Sequence, residues 1–283
     1  MIVNHPEHCV LMPWIATNHT WVLDHERCLH IVFDLLDRYV ERRTSCTAST
    51  VKQFLEAYPR AHTQVHESYG TILHIILQDQ ESECNADLFK WVAERFPSGT
   101  LLVTDFYGST PLHLACSLLS KHKGRNSSEI CQYLIQKCPE SVRVISSSVG
   151  TTVGRVLPIH FLQAVSRYRF VRKVVVSLLR EYPESYDVPK YQLPPSFFPF
   201  IQSIKPHLDE EKELKETAAS LTNSTSSLTE AATCTNDGLM TSAFAVFDSW
   251  ATSFINSTKD KLQQISMKLQ EMCNGGLEPD DDE

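Results

Sequence analysis

Four short segments of the chain share one arrangement of apolar and polar residues. Each has two apolar residues, two mostly polar residues, one further apolar residue or cysteine, and then a proline: Pro59, Pro97, Pro139 or Pro183. Apolar residues at this spacing lie on one face of a helix, and a proline does not continue a helix. The pattern therefore predicts four helices that end just before prolines 38, 42 and 44 residues apart.

A second pattern alternates with the first. An apolar residue followed by histidine opens an apolar run at Leu73-His74, Leu112-His113 and Ile159-His160. Each run predicts a second helix between two of the proline-terminated helices. A two-helix unit that recurs three times predicts an all-α fold, a helical solenoid in which stacked units share one core.

The middle unit has the most complete local signals. Residues 105–116 read DFYGSTPLHLAC. Gly108 permits a tight turn, Thr110 is suited to cap a helix, and Pro111 suits the first helical position, where no amide donor is needed. This segment closely resembles the opening of an ankyrin repeat, whose turn leads into Thr-Pro-Leu-His. The units are longer than the about 33 residues of that family, and the third has extra residues over 146–154.

The resemblance implies roles for particular residues. It implies that His113 forms hydrogen bonds within its turn and toward its neighbours, which is a structural role. It also implies that protein partners contact the turn tips and inner helices of the concave face. Carried over by position, the partner-binding residues of the middle unit are Thr104, Phe106, Tyr107, Ser109, Ser117 and Leu118. By looser alignment, the first unit adds His66, Ser68 and Tyr69.

The C-terminal part of the chain has a different composition. Residues 208–238 include a stretch rich in Ser and Thr, which predicts a flexible linker. Apolar residues then return at steps of three and four, which predicts an amphipathic helix over 239–274, followed by an acidic tail over 275–283. The preceding chain divides into an N-terminal capping helix or degenerate repeat over 1–49 and the ankyrin-like domain over 50–207.

The first half of the predicted C-terminal helix, residues 239–258, has an unusual polar face. That face consists of Ser, Thr and Asn with one charge, Asp248, and the apolar face includes Phe244, Phe247, Trp250 and Phe254. This composition is similar to that of an amphipathic lipid-packing sensor, a helix that binds curved membranes through bulky apolar residues. Docking onto the repeats and self-association are the alternatives, and the oligomeric state is left open.

Composition excludes several classes of function. The formal charge of −8 argues against a nucleic-acid surface. The nine cysteines form no CxxC pair, and the chain contains no phosphate-binding loop, no GxSxG and no HExxH. We therefore expect no enzyme activity, no metal and no cofactor. No apolar run has the length of a membrane span, and the first residues lack a secretory signal, so we expect the protein inside the cell, in the cytoplasm, with peripheral membrane contact left open.

Taken together, the sequence predicts a non-catalytic scaffold that binds another protein through the concave face and the turn tips. Two alternatives remain open. The first is a membrane-associated adaptor whose C-terminal helix binds curved membranes or self-associates. The second is a regulatory subunit of an enzyme on another chain.

Overall fold

Helices make up most of the computed structural model, which describes residues 48–57, 59–62, 65–66, 69–78, 85–146, 156–162, 168–186, 198–232 and 238–275. Within these ranges the only β-structure is two isolated bridges, His66 with Gly70 and Ser146 with Val156. The all-α prediction is therefore confirmed. The chain divides into two units, Met1–Ser196 (unit 1) and Phe197–Glu283 (unit 2).

Unit 1 alternates α-helices with short 3₁₀ helices. Its described α-helices are α1 (Ala48–Ala57), α2 (Ile72–Leu77), α3 (Ala86–Ala93), α4 (Pro111–His122), α5 (Arg125–Lys137) and α6 (Arg169–Glu181). The 3₁₀ helices are Pro59–His62, Ser98–Leu102, Pro139–Arg143, Pro158–Phe161 and Pro183–Tyr186. The predicted N-terminal cap lies outside the described residues except for positions 48 and 49.

Three of the four recurring prolines lie two residues beyond the end of an α-helix, as the sequence pattern predicts, whereas α3 ends four residues before Pro97. Helices α5 and α6 end two residues before Pro139 and Pro183. The residues between, Cys138 and Tyr182, have φ near −145° and ψ near 76°. A proline ring clashes with a helical conformation at the preceding residue, so that residue leaves the helix. Each helix then turns sharply into the following 3₁₀ helix.

The helices of unit 1 pack in two rows. One row consists of α1, α3, α5 and α6, and the other of α2, α4 and the 3₁₀ helix Pro158–Phe161. Contacts of α2 with α3 and of α4 with α5 join the rows. Leu88, Phe89 and Val92 of α3 and Leu112 of α4 are fully buried between them. The third inner element is a 3₁₀ helix of four residues. The part of the predicted helix that falls on residues 163–167 lies outside the described residues.

Unit 2 contains two long helices, α7 (Phe198–Ala232) and α8 (Gly238–Asn274), which pack against each other. A connection of five residues, 233–237, joins them, so they form a helical hairpin. The seam on α8 includes Ala251, Thr258, Ile265 and Leu269, which are buried. The sequence predicted a helix over 239–274, and the predicted acidic tail beyond Gly275 lies outside the described residues.

The structure differs from the linker that composition predicts over 208–238. Helix α7 continues through Ala232, and the boundary between the units lies at 196, before the predicted end of the repeat domain at 207. The hydroxyls of Thr217, Thr222, Ser224 and Ser226 each donate to the carbonyl oxygen four residues earlier, at 2.8 to 3.0 Å. Serine and threonine side chains satisfied in this way are compatible with a helix interior. In the described residues, neither long helix nor any other is apolar enough over sufficient length to cross a bilayer.

Candidate functional site

A tight turn at residues 105–109 leads into α4. The backbone N–H of Asp105 donates to the Ser109 carbonyl oxygen at 3.0 Å, and the N–H of Gly108 donates to the Asp105 carbonyl oxygen at 3.0 Å. Asp105 Oδ1 accepts the backbone N–H groups of Tyr107 and Ser109 at 2.9 and 2.8 Å. Gly108 has a φ of 72°, which glycine adopts without strain. The Asp105 carboxylate is therefore used inside the turn and is buried.

A buried histidine connects each turn to the next. His74 Nδ1 accepts the backbone N–H of Thr71 at 3.0 Å, so the proton of the neutral ring is on Nε2. Nε2 then donates to the carbonyl oxygen of Ser109 at 3.0 Å. His113 repeats the arrangement, with the Thr110 N–H at 3.1 Å from Nδ1 and the Val156 carbonyl oxygen at 3.3 Å from Nε2. The resemblance implied this bonding for His113.

Burial keeps these rings neutral. Loss of hydration lowers the pKa of His113 from 6.5 to about 4, although the Val156 carbonyl opposes the shift. Burial likewise lowers the pKa of His74, against the attraction of the Asp105 carboxylate. A neutral ring with both nitrogens bonded to the backbone has no free nitrogen for proton transfer or metal binding. The two histidines are therefore structural parts of the turns.

Side-chain contacts bring the second and third turns together. Ser146, which opens the third turn, donates its hydroxyl hydrogen to the Tyr107 carbonyl oxygen at 3.2 Å. The hydroxyl of Ser109 lies 3.1 Å from that of Ser146 and is left to donate to it. A Cβ placed on Gly70 of the first turn would lie 3.1 Å from Asp105 Cα, so the first and second turns also touch. The first turn, the second turn and the paired residues Ser146 and Val156 at the ends of the third therefore lie next to one another along one edge of unit 1.

Large apolar side chains are exposed along this edge. Phe106 is 65% and Tyr107 51% exposed, and their rings pack edge to face at 5.6 Å. In the described part of unit 1, every exposed large apolar side chain lies on or next to these turns. We call this set the turn edge: Val65, Tyr69, Leu102, Phe106, Tyr107 and Ile145. The only charged side chain in residues 102–109 is the buried Asp105.

The predicted partner-binding residues separate into exposed and buried groups. Phe106, Tyr107, Tyr69, Thr104 and Ser117 are exposed, and the half-buried His66 ring lies 5.0 Å from that of Tyr69. Ser109 and Leu118 are buried, because one joins adjacent turns and the other belongs to the core. Their burial argues against direct contact with a partner. Ser68 lies outside the described residues.

Sequence reasoning missed three members of the turn edge: Val65, Leu102 and Ile145. Val65 and Ile145 each directly precede the first residue of a turn, His66 or Ser146. An alignment of the units on their histidines cannot find this shared position, because the third turn is longer. An alignment on the first residue of each turn would have found it.

A second group of exposed apolar side chains lies on α8, around Trp250. Trp250 is 51% and Val246 71% exposed. The Trp250 ring lies 5.7 Å from that of Phe247 and 5.9 Å from that of Phe254, and both phenylalanines are half-buried. Phe244 lies within α8, but its side chain is outside the described part of the structure.

Metal-binding and cysteine chemistry find little support in the described chain. No group of three His, Cys, Asp or Glu side chains in these residues is arranged to hold a metal ion. Cys116 and Cys131 are free thiols buried between α4 and α5. Burial, together with a hydrogen bond to the Cys116 thiol, raises the pKa of Cys131, so this thiol stays protonated and is a poor nucleophile.

Comparisons with known proteins add no relative. No protein-family model, no curated protein and no solved structure matches the chain.

Proposed function

We propose that unit 1 is an ankyrin-like solenoid that binds another protein through the turn edge, without catalysis. The two rows of helices and the repeated histidine bonds support the ankyrin-like arrangement. In it, α2 packs with α3 as one repeat and α4 with α5 as the next. The 3₁₀ helix Pro158–Phe161 and α6 follow in the chain as the third repeat. His74 and His113 each donate a hydrogen bond to a backbone carbonyl oxygen of the next repeat, Ser109 and Val156.

The observation that carries the binding function is the exposed apolar turn edge, whose central stretch, residues 102–109, contains no charged side chain except the buried Asp105. Apolar side chains that are exposed together on a folded surface mark interaction sites, and aromatic residues often supply most of the binding energy. The turns beneath Phe106 and Tyr107 are fixed by internal hydrogen bonds. A rigid surface loses little conformational entropy on binding. The partner we propose is therefore a protein segment with apolar side chains and few charges.

Photo-crosslinking in the source cells tests this proposal. A photoreactive phenylalanine analogue at position 106 or 107 should crosslink to a defined protein. The same analogue at position 246, which is also exposed but belongs to unit 2, serves as the control. A product shared by all three positions, or none at 106 and 107, contradicts binding through the turn edge. A product specific to 106 and 107 that is lost with Tyr69→Ser supports it.

A second candidate function is membrane contact by α8. The exposed Val246 and Trp250, flanked by a polar face whose one charge is Asp248, support insertion into loosely packed lipid. Flotation of the full chain with small, unsaturated, uncharged liposomes tests it. Trp250→Ser should abolish flotation, and Met267→Ser, at an equally exposed site of the same helix, should not. Wild-type protein that stays at the bottom of the gradient contradicts membrane binding and leaves self-association, which sedimentation measures. Regulation of an enzyme on another chain would act through the same protein binding.

A further inference from the structure

Basic side chains gather where α4 ends and α5 and α6 begin. They are Lys121, Lys123, Arg125, Arg169 and Lys173, which we call the basic end. Two contacts hold these elements together. Lys123 Nζ donates to the Tyr168 hydroxyl oxygen at 3.0 Å, and the Ser128 hydroxyl donates to the Phe170 carbonyl oxygen at 3.3 Å. The charges therefore belong to one surface, although they are up to 52 residues apart in sequence.

Aromatic rings position three of these charges. Lys123 Nζ lies 4.4 Å from the centre of the Tyr168 ring. The Arg169 guanidinium lies 4.7 Å and Lys173 Nζ 6.0 Å from the centre of the Phe170 ring. A cation over a ring is attracted to it and loses some of its freedom. The basic end is consequently a more ordered positive surface than lysines on an open helix face.

Lys123 occupies a backbone conformation that is unfavourable for lysine. Its φ is 57°, and among the described residues it is the only non-glycine residue with a positive φ. A residue with a Cβ costs about 1 kcal/mol or more in this region, which glycine enters freely. The contacts with Tyr168 offset this cost. The chain thus has a lysine at a position suited to glycine, with its charge directed onto Tyr168.

Within residues 121–137 and 168–176, little negative charge balances the basic end. Glu129 is the only acidic residue in residues 121–137 and 168–176. Its carboxylate accepts hydrogen bonds from Lys90 at 2.9 Å and Arg125 at 2.8 Å, and these bonds lower its pKa. The first turns of α5 and α6 contain no acidic residue, so the partial positive charge of both helix N-termini adds to that of the side chains.

We propose that the basic end binds an acidic segment of another polypeptide. Charge complementarity selects the class of partner. Membrane insertion is disfavoured here because no large apolar side chain is exposed in residues 108–137 or 168–181, and Tyr168 and Phe170 are half-buried beneath the cations. The surface is also distinct from the turn edge, because α4 begins beside the turns and its twelve residues separate the two by about 18 Å.

Fluorescence anisotropy of the full chain tests the proposal. The probe is a fluorescein-labelled peptide of alternating glutamate and serine, and a matched peptide has glutamine for glutamate. We expect the glutamate peptide to bind, and to bind more weakly as salt is raised from about 50 to about 200 mM. Arg169→Glu with Lys173→Glu should weaken binding by at least about tenfold.

Matched variants make the result specific. Lys137→Glu with Arg180→Glu makes the same change in net charge at the C-terminal ends of α5 and α6, and should leave binding within about twofold of wild type. Equal weakening by both pairs, or no binding by wild type, overturns the proposal. Tighter binding of single-stranded DNA or of phosphatidylserine vesicles overturns it too, since either result assigns the basic end to another class of partner. Circular dichroism verifies that both variants are folded.

Discussion

His74 Nε2 donates a hydrogen bond to the Ser109 carbonyl oxygen, 35 residues further along the chain, at 3.0 Å. His113 bonds the Val156 carbonyl oxygen, 43 residues ahead, in the same way. Each ring also accepts the N–H of its own helix cap. These histidines therefore set the distance between neighbouring turns, and the turns carry the exposed apolar side chains.

Replacement of His113 should destabilise unit 1. His113→Ala leaves the Thr110 N–H and the Val156 carbonyl without their partner and opens a cavity, for an expected loss of about 2 to 4 kcal/mol. Urea unfolding followed by circular dichroism measures it. Thr104→Ala, on an exposed side chain nearby, should change stability by less than about 0.5 kcal/mol. Equal stability of the two variants would show that the histidine bonds contribute nothing.

Acid should weaken the fold before the carboxylates titrate fully. The pKa of His113 is lowered from 6.5 to about 4, so the unfolded chain takes up a proton at a higher pH than the folded chain. The stabilisation is complete above pH 6.5 and is lost as pH falls toward 4, by about 3 kcal/mol for this residue. The lowered pKa of His74 acts in the same direction.

Urea unfolding of wild type and His113→Gln across this pH range measures the effect. The slope of stability against pH should be smaller in the variant, which has no titrating group at this position. Parallel slopes would mean that the ring does not become protonated on unfolding, which contradicts its buried, neutral state.

Two glycine positions offer a matched test of the turn geometry. Gly70 has a φ of 72°, and an added Cβ would lie 2.9 Å from His74 Nδ1. Gly70→Ala should therefore cost about 1 to 3 kcal/mol. Gly99 has no atom within 4 Å of an added Cβ, so Gly99→Ala should be neutral or slightly stabilising. Thermal unfolding distinguishes them, and a similar melting temperature for both variants contradicts the crowded first turn.

Proline scanning can distinguish a helix from a linker in residues 217–226. Ser220→Pro removes a backbone donor and places a ring against the preceding turn, at a cost of about 3 kcal/mol in a helix and almost none in a flexible linker. Helical circular dichroism should fall with Ser220→Pro and stay constant with Ser220→Ala. Unchanged spectra for both would restore the linker predicted from composition.

Local sequence signals predicted several helix starts and ends of unit 1. The prolines predicted where α5 and α6 end, because a proline acts on the residue directly before it. The Thr-Pro-Leu-His segment predicted the start of α4 at Pro111. Composition predicts a linker over 208–238 because it counts Ser and Thr as polar, whereas in the structure Thr217 and Ser224 bond their own helix and α8 packs alongside. A single window of sequence contains no information about packing against a second helix.

The candidate site likewise combines features that the local sequence predicts with features that only the tertiary structure shows. The sequence alone determined that Phe106 and Tyr107 lie at a turn, because Gly108 and Thr110 specify turn and cap over a few neighbouring residues. Only the tertiary structure decided that Ser109 is buried against Ser146, that Val65 and Ile145 extend the same exposed edge, and that Lys123 meets Tyr168. Local conformation depends on adjacent residues, whereas exposure and neighbourhood depend on how distant segments stack, and here that stacking is set by histidine bonds across 35 and 43 residues.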